Sequence, residues 1–78
     1  MKAALVFAPY ALPSGLAGEA FLVSGYVLHL WFSSCDNRMH WGIHPENSTR
    51  VLAHSTRGHA CAQLAMSAAE KALARLLK

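Results

Sequence analysis

Hydrophobic and polar residues alternate most regularly in the middle of the chain. Over residues 26–33, and again over residues 38–44, every second side chain is large and apolar. Strict alternation is the pattern of a half-buried β-strand, and aromatic and β-branched residues favour that structure. The four residues between the two segments, Ser-Cys-Asp-Asn at 34–37, have the chemistry of a turn. The pattern therefore predicts an antiparallel hairpin.

Burial of the apolar positions fixes how the two predicted strands pair. A four-residue loop brings the large apolar side chains together on one face as Phe32 with Met39, Leu30 with Trp41, and Leu28 with Ile43. A slip of one residue would turn Arg38 and His40 toward the core. On the opposite face, the same register places Trp31 opposite His40 and His29 opposite Gly42.

The segments that flank the hairpin are less regular. Residues 3–8 and 16–24 can each form a strand or a short helix, because periodicity does not decide at this length. Residues 50–56 are predicted to form a third short strand, with Val51 and Ala53 facing inward and Arg50, Leu52 and His54 facing outward. The opposite assignment of the two faces fits nearly as well.

The C-terminal residues 60–78 form the clearest predicted element. At about 100° per residue, one side of a helix is apolar and carries Cys61, Ala62, Ala65, Ala69, Ala72, Leu73 and Leu76. The other side is polar and carries Gln63, Ser67, Glu70, Lys71, Arg75 and Lys78. Ser55 or Thr56 can cap this helix. Residues 1–78 are therefore expected to form one small α+β domain, an antiparallel three- to four-stranded sheet with the C-terminal α-helix packed on one face.

The composition predicts that part of the surface is covered. Hydrophobic residues make up 54% of the chain and charged residues 14%, against about 25% charged residues in a typical soluble domain. The formal net charge is +3, and the lysines and arginines are dispersed rather than clustered into a phosphate-binding stripe. A surface with so few charges indicates contact with a partner protein or with a second copy of the chain.

The apolar run near the N-terminus, over residues 3–12, imitates a short secretory signal because small residues follow it. Pro9, Pro13, Gly15 and Glu19 interrupt it well before the roughly 20 apolar residues that cross a bilayer. We therefore expect an ordinary soluble segment, a cytoplasmic protein and no membrane partner.

The outer face of the predicted sheet gathers histidines, which raises the question of a metal. It holds His29, His40, His44 and His54, but no metal-ligand motif accompanies them. His40 and His44 on one strand lie roughly 13 Å apart, at about 3.3 Å per residue. Cys61 falls on the apolar stripe, and the four carboxylates are far apart in the sequence. We therefore expect no metal, no other cofactor and no catalytic site.

The C-terminal stretch GHACAQLAMSAAEKAL, residues 58–73, resembles the end of a double-stranded-RNA-binding domain. That family follows three strands with an alanine-rich helix, and the likeness covers about a fifth of this chain. The family's helix begins with a lysine pair that grips phosphate, whereas this chain has Ala60, Cys61 and Ala62 there. The resemblance implies a degenerate nucleic-acid-binding domain, which we keep as an alternative that is not favoured.

The outer face of the hairpin is the predicted binding surface. Its partner-binding residues are expected to be Trp31, His29, His40, Arg38 and His54, since tryptophan and arginine are frequent interface anchors. The expected function is that of a small non-enzymatic module that inhibits or adapts a larger protein complex. Phages and mobile elements use small proteins of this type against host defences, anti-CRISPR proteins among them. A homodimer and an accessory subunit of a larger assembly are the further options.

Overall fold

The structure is a computed structural model that describes residues 7–12 and 17–78. Within these residues the chain forms, in order, β1 (Ala8–Pro9), β2 (Glu19–Val23), β3 (Tyr26–Ser33), β4 (Arg38–Pro45), β5 (Ala53–His54) and α1 (Ala62–Leu76). The strands make one antiparallel sheet in the order β1-β2-β3-β4-β5. The predicted α+β class is confirmed. The sheet has one strand more than the upper end of the expected three to four, because both ambiguous segments before the hairpin contribute a strand, the two-residue β1 and the longer β2.

The central hairpin has the predicted register. β3 and β4 pair over their whole length, with Leu28 opposite Ile43, Leu30 opposite Trp41 and Phe32 opposite Met39. On the other face, Trp31 lies opposite His40 and His29 opposite Gly42. The turn that joins the strands spans residues 34–37, and Asn37 adopts a positive φ of 55° there. This residue type tolerates that conformation.

The ambiguous segment before the hairpin contains the strand β2, Glu19–Val23, while residue 16 lies outside the described residues. β2 connects to β3 through Ser24 and Gly25, whose φ angles are 51° and 83°. Two successive residues with positive φ make the tight turn whose twist matches two antiparallel strands. Of the first ambiguous segment, Ala8 begins β1 and Phe7 packs edge-on against Phe21 at 6.2 Å, while residues 3–6 lie outside the described residues. No helix in the described part of the chain is long and apolar enough to cross a membrane.

β5 is shorter than the predicted strand over residues 50–56. Ala53 pairs with Ile43 and His54 with Gly42, so these two residues face the predicted sides of the sheet. Val51 is 53% exposed, and its predicted inward position is wrong. The strand pairing with β4 begins near Leu52, whose amide donates to the Ile43 carbonyl at 2.8 Å.

The hydrophobic core lies between the sheet and α1. Its buried members are Val23, Leu28, Leu30, Trp41, Ile43, Ala65, Ala69 and Leu73. The two alanines have small side chains, which lets the helix backbone approach the sheet closely. The polar side of the helix is exposed as predicted, at Gln63, Ser67, Glu70, Lys71, Arg75 and Lys78. The helix and the sheet therefore each bury one of their faces against the other.

Three apolar residues that were expected in the core are exposed. Phe32 is 57% exposed, and its partner Met39 is only partly buried. Cys61 and Ala62, at the start of the helix, are also exposed. Alternation identifies the face to which Phe32 belongs, but the burial of that face depends on how far α1 extends along the hairpin.

α1 begins later than the sequence indicated because the chain before it stays attached to β4. The Ser55 amide donates to the Trp41 carbonyl at 2.9 Å, and the His59 and Met39 backbones exchange bonds of 2.8 and 2.9 Å. The N-cap is Cys61, in extended conformation and without a side-chain capping bond. The predicted capping by Ser55 or Thr56 is therefore wrong.

Candidate functional site

The sheet face opposite α1 carries four histidines and a tryptophan around a single glycine. Gly42 lies at the centre, on β4. Around it stand His29 and His54 on the neighbouring strands, His40 and His44 along β4, and Trp31 diagonally across. The sequence predicted that these side chains share one face, and the observed register confirms it.

Gly42 creates a depression in this face. A Cβ at this position would stand 3.6 and 3.7 Å from two atoms of the Trp31 indole, so the ring lies beside bare backbone. The resulting groove has a volume of about 340 Å³ and is lined by His29, Trp31, Gly42, His44, Val51, His54 and Ser55. We refer to this set as the imidazole groove. Its size is that of a small ligand or of one side chain from another protein.

Three aromatic rings are in contact at the side of the imidazole groove, those of His29, Trp31 and His40. The Trp31 and His40 rings stack with centroids 5.9 Å apart and planes inclined by 19°. The His29 ring lies 4.9 Å from Trp31 at an angle of 43°. Trp31 therefore contacts two imidazole rings while it stays half-buried.

His40 is held on both ring nitrogens. Its Nε2 lies 2.8 Å from Asp36 Oδ2, and its Nδ1 lies 3.1 Å from Ser55 Oγ. In the neutral ring, Nε2–H donates to the carboxylate and the Ser55 hydroxyl donates to Nδ1. Ser55 Oγ in turn accepts the Trp41 amide at 3.2 Å. The pKa of Asp36 is lowered mainly by the His40 hydrogen bond, and also by the Arg38 amide that donates to it.

Ser55, His40 and Asp36 are the residue types of a hydrolase triad, but the ring is turned the other way. In such triads the carboxylate bonds Nδ1 and the serine bonds Nε2, whereas here Asp36 bonds Nε2 and Ser55 bonds Nδ1. We therefore interpret these contacts as a brace that fixes the His40 ring against Trp31.

The other three histidines are oriented by backbone carbonyls. The bonds join His29 Nε2 to Ala17 O at 3.1 Å, His44 Nδ1 to Pro45 O and Ser48 O at 2.8 Å each, and His54 Nδ1 to Ser55 O at 3.0 Å. A carbonyl oxygen only accepts, so the ring nitrogen that meets it carries the hydrogen. These contacts therefore define the tautomer of each ring.

A second groove adjoins the first and shares His29 and His44 with it. This groove has a volume of about 770 Å³, and its further lining residues are Tyr10, Leu12, Glu46, Asn47, Ser48 and Thr49. Glu46 supplies a carboxylate. No lysine or arginine of the described residues lines either groove, although the chain carries a formal net charge of +3.

The histidines are spread around the grooves rather than converging on one point. Within residues 7–12 and 17–78, no group of three or more His, Cys, Asp or Glu side chains is placed to hold a metal ion. The two cysteines, Cys35 and Cys61, are exposed and form no disulfide.

The predicted site residues fall into three positions. His29, Trp31 and His54 line the imidazole groove, and His40 stacks behind Trp31. Arg38 is exposed at the start of β4 and lines neither groove. Gly58 lies against it, so closely that a Cβ on Gly58 would collide with the Arg38 side chain. Arg38 is therefore not part of the imidazole groove, although it lies on the same face of the sheet.

Sequence reasoning missed several residues of the site. His44 follows the same alternation as His40, so the pattern was sufficient to include it. Gly42 was placed on this face but was not identified as the floor of a groove. Asp36 and Ser55 have no sequence signal for their role, because they meet His40 only through the turn and the path of the chain after β5.

Comparison with protein-family models, curated proteins and solved structures finds no significant match to this chain. The geometry and chemistry of the grooves are therefore the basis for inferring a function.

Proposed function

We propose that this protein is a small non-enzymatic protein-binding module that acts as an inhibitor or adaptor of a larger complex. The observation that carries the proposal is the position of Trp31, which lies beside the bare backbone of Gly42 in a groove on the sheet face opposite α1. Large aromatic side chains next to pockets are the anchors of protein interfaces.

The composition of this surface supports recognition of protein. Interface cores are enriched in aromatic residues and depleted in lysine and glutamate. Among the described residues, the lining of the imidazole groove contains Trp31 and three histidines but neither a lysine nor a glutamate. The hydrogen bonds that brace His40 also favour binding, because side chains fixed before binding lose less entropy when the complex forms.

The proposed partner is a larger protein or complex in the cytoplasm, and phage or mobile-element inhibitors of the anti-CRISPR kind are the functional type we favour. The small size of the chain and its low charge content support this class. An accessory subunit of a larger assembly would use the same face.

A second candidate function is the binding of single-stranded nucleic acid, which the stacked row of His29, Trp31 and His40 favours. Bases stack on aromatic side chains exposed on sheets. Such binding weakens steeply with salt, because phosphate contacts release counterions. Weak salt dependence, together with capture of a protein, would support the first candidate.

The test is capture of a partner from cells of the source organism with the tagged wild-type chain and three variants. Trp31→Ala removes the anchor, Gly42→Leu fills the imidazole groove, and Gln63→Ala changes the polar side of α1 as the matched control. The proposal expects a protein that the wild type and Gln63→Ala retain and that Trp31→Ala and Gly42→Leu lose. Equal capture by all four chains would overturn it.

A further inference from the structure

We infer that the imidazole groove receives an arginine side chain of the partner protein. This inference rests on the proposed protein-binding function and names the chemistry that the groove recognises.

The first argument is the hydrogen-bonding polarity of the groove. His29, His44 and His54 each donate one ring N–H to a backbone carbonyl. The second nitrogen of a neutral imidazole then carries no hydrogen and acts as an acceptor. All three residues line the groove, and in the neutral form each has one acceptor nitrogen left for a ligand that is rich in donors. A guanidinium group has five N–H donors and no acceptor.

The second argument is charge. Glu46 lines the adjoining groove, which shares His29 and His44 with the first. In the described part of the chain, neither groove is lined by a lysine or an arginine. A cation in the imidazole groove therefore lies next to a groove that carries a carboxylate, and no described lysine or arginine lines either of the two.

The third argument is shape. The Trp31 indole lies beside Gly42 and lines the groove, and a planar guanidinium packs against an aromatic ring better than a compact ammonium group does. The acceptors belong to three strands, and Gly42 separates His29 from His54 across the sheet. A forked group of donors spans such an arrangement, whereas a single ion does not.

The test uses N-acetyl-arginine amide as the probe, titrated into the ¹⁵N-labelled full chain at about pH 8 while NMR follows the Trp31 indole and the histidine rings. We expect saturable shifts at Trp31, His44 and His54, with a dissociation constant of the order of millimolar, as one side chain provides. N-acetyl-lysine amide should bind about fivefold more weakly or worse, and N-acetyl-glutamine amide should not saturate.

A competing anion separates a cation site from an anion site. The ionisable side chains that line the two grooves are His29, His44, His54, Glu46 and Tyr10, and inorganic phosphate is titrated into the same sample as the anionic probe. We expect arginine amide to shift the ring signals and phosphate to leave them unchanged. Inorganic phosphate that binds the same rings, with no binding of arginine amide, would overturn the inference.

Single substitutions show which part of the account fails. His44→Phe and His54→Phe keep a ring and remove its nitrogens, so each should weaken arginine-amide binding severalfold, while His59→Phe, which lies outside both grooves, should not. Amide spectra and melting curves verify that each variant is folded. If arginine amide fails to bind although Trp31→Ala abolishes capture of the partner, the arginine inference falls and the binding surface stands. If Trp31→Ala captures the partner normally, both fall.

Discussion

Leu30→Ala is the sharpest perturbation of the fold. Leu30 is 4% exposed and faces α1 from the middle of the central hairpin, opposite Trp41. The substitution removes three carbon atoms, which at about 0.8 kcal/mol each corresponds to about 2.4 kcal/mol of lost burial. The cavity left behind raises the cost toward about 5 kcal/mol when the surroundings do not collapse. A chain of 78 residues has a total stability of about 4–12 kcal/mol.

Phe32→Ala is the matched control, because it lies on the same face of the same strand two residues further along. Phe32 is 57% exposed, so its truncation should cost less than about 1 kcal/mol. Thermal melts followed by circular dichroism should therefore show Tm lowered by about 10 °C or more for Leu30→Ala and by only a few degrees for Phe32→Ala.

Urea unfolding of the same two variants checks the melting result, since the midpoint should move with little change in slope. The reasoning is refuted if Leu30→Ala melts within a few degrees of the wild type, or if Phe32→Ala is the more damaging change. Either result would mean that the core does not lie between α1 and the middle of the hairpin.

Three further predictions concern other parts of the structure. Gly58→Ala places a Cβ against Arg38 and should cost about 1–3 kcal/mol in urea unfolding, whereas Gly42→Ala meets only ordinary contacts and should cost less than about 1 kcal/mol. Asp36 has a lowered pKa from its His40 bond, so the Tm advantage of wild type over Asp36→Asn should be present at neutral pH and disappear as pH falls below about 4 through that lowered value. With only 14% charged residues, the purified chain should sediment as a dimer at micromolar concentration, and a monomer mass would remove the argument from charge.

The pairing of the central strands could be predicted from the sequence because only one register is compatible with burial. A slip of one residue would turn Arg38 and His40 toward α1, and the cost of burying them unpaired exceeds any local preference. The same argument placed His29 and Trp31 together on the outer face, where the structure has them.

The rest depends on contacts between segments that are distant in sequence. Phe32 follows the alternation but is exposed, because burial requires helix above it and alternation carries no information about the helix's reach. The brace on His40 could not be predicted either. It needs the chain after β5 to bring Ser55 alongside β4 and the turn to bring Asp36 to the same ring.

The central claim is that the groove beside Trp31 binds a partner protein, and the most direct measurement is the affinity of the captured partner for wild type and for Trp31→Ala. Both melting temperatures are recorded on the same preparations. The account predicts that Trp31→Ala weakens binding by about 30-fold or more, equivalent to about 2 kcal/mol, while Tm falls by only a few degrees. An unchanged dissociation constant, or a loss of binding that merely follows unfolding of the variant, would contradict it.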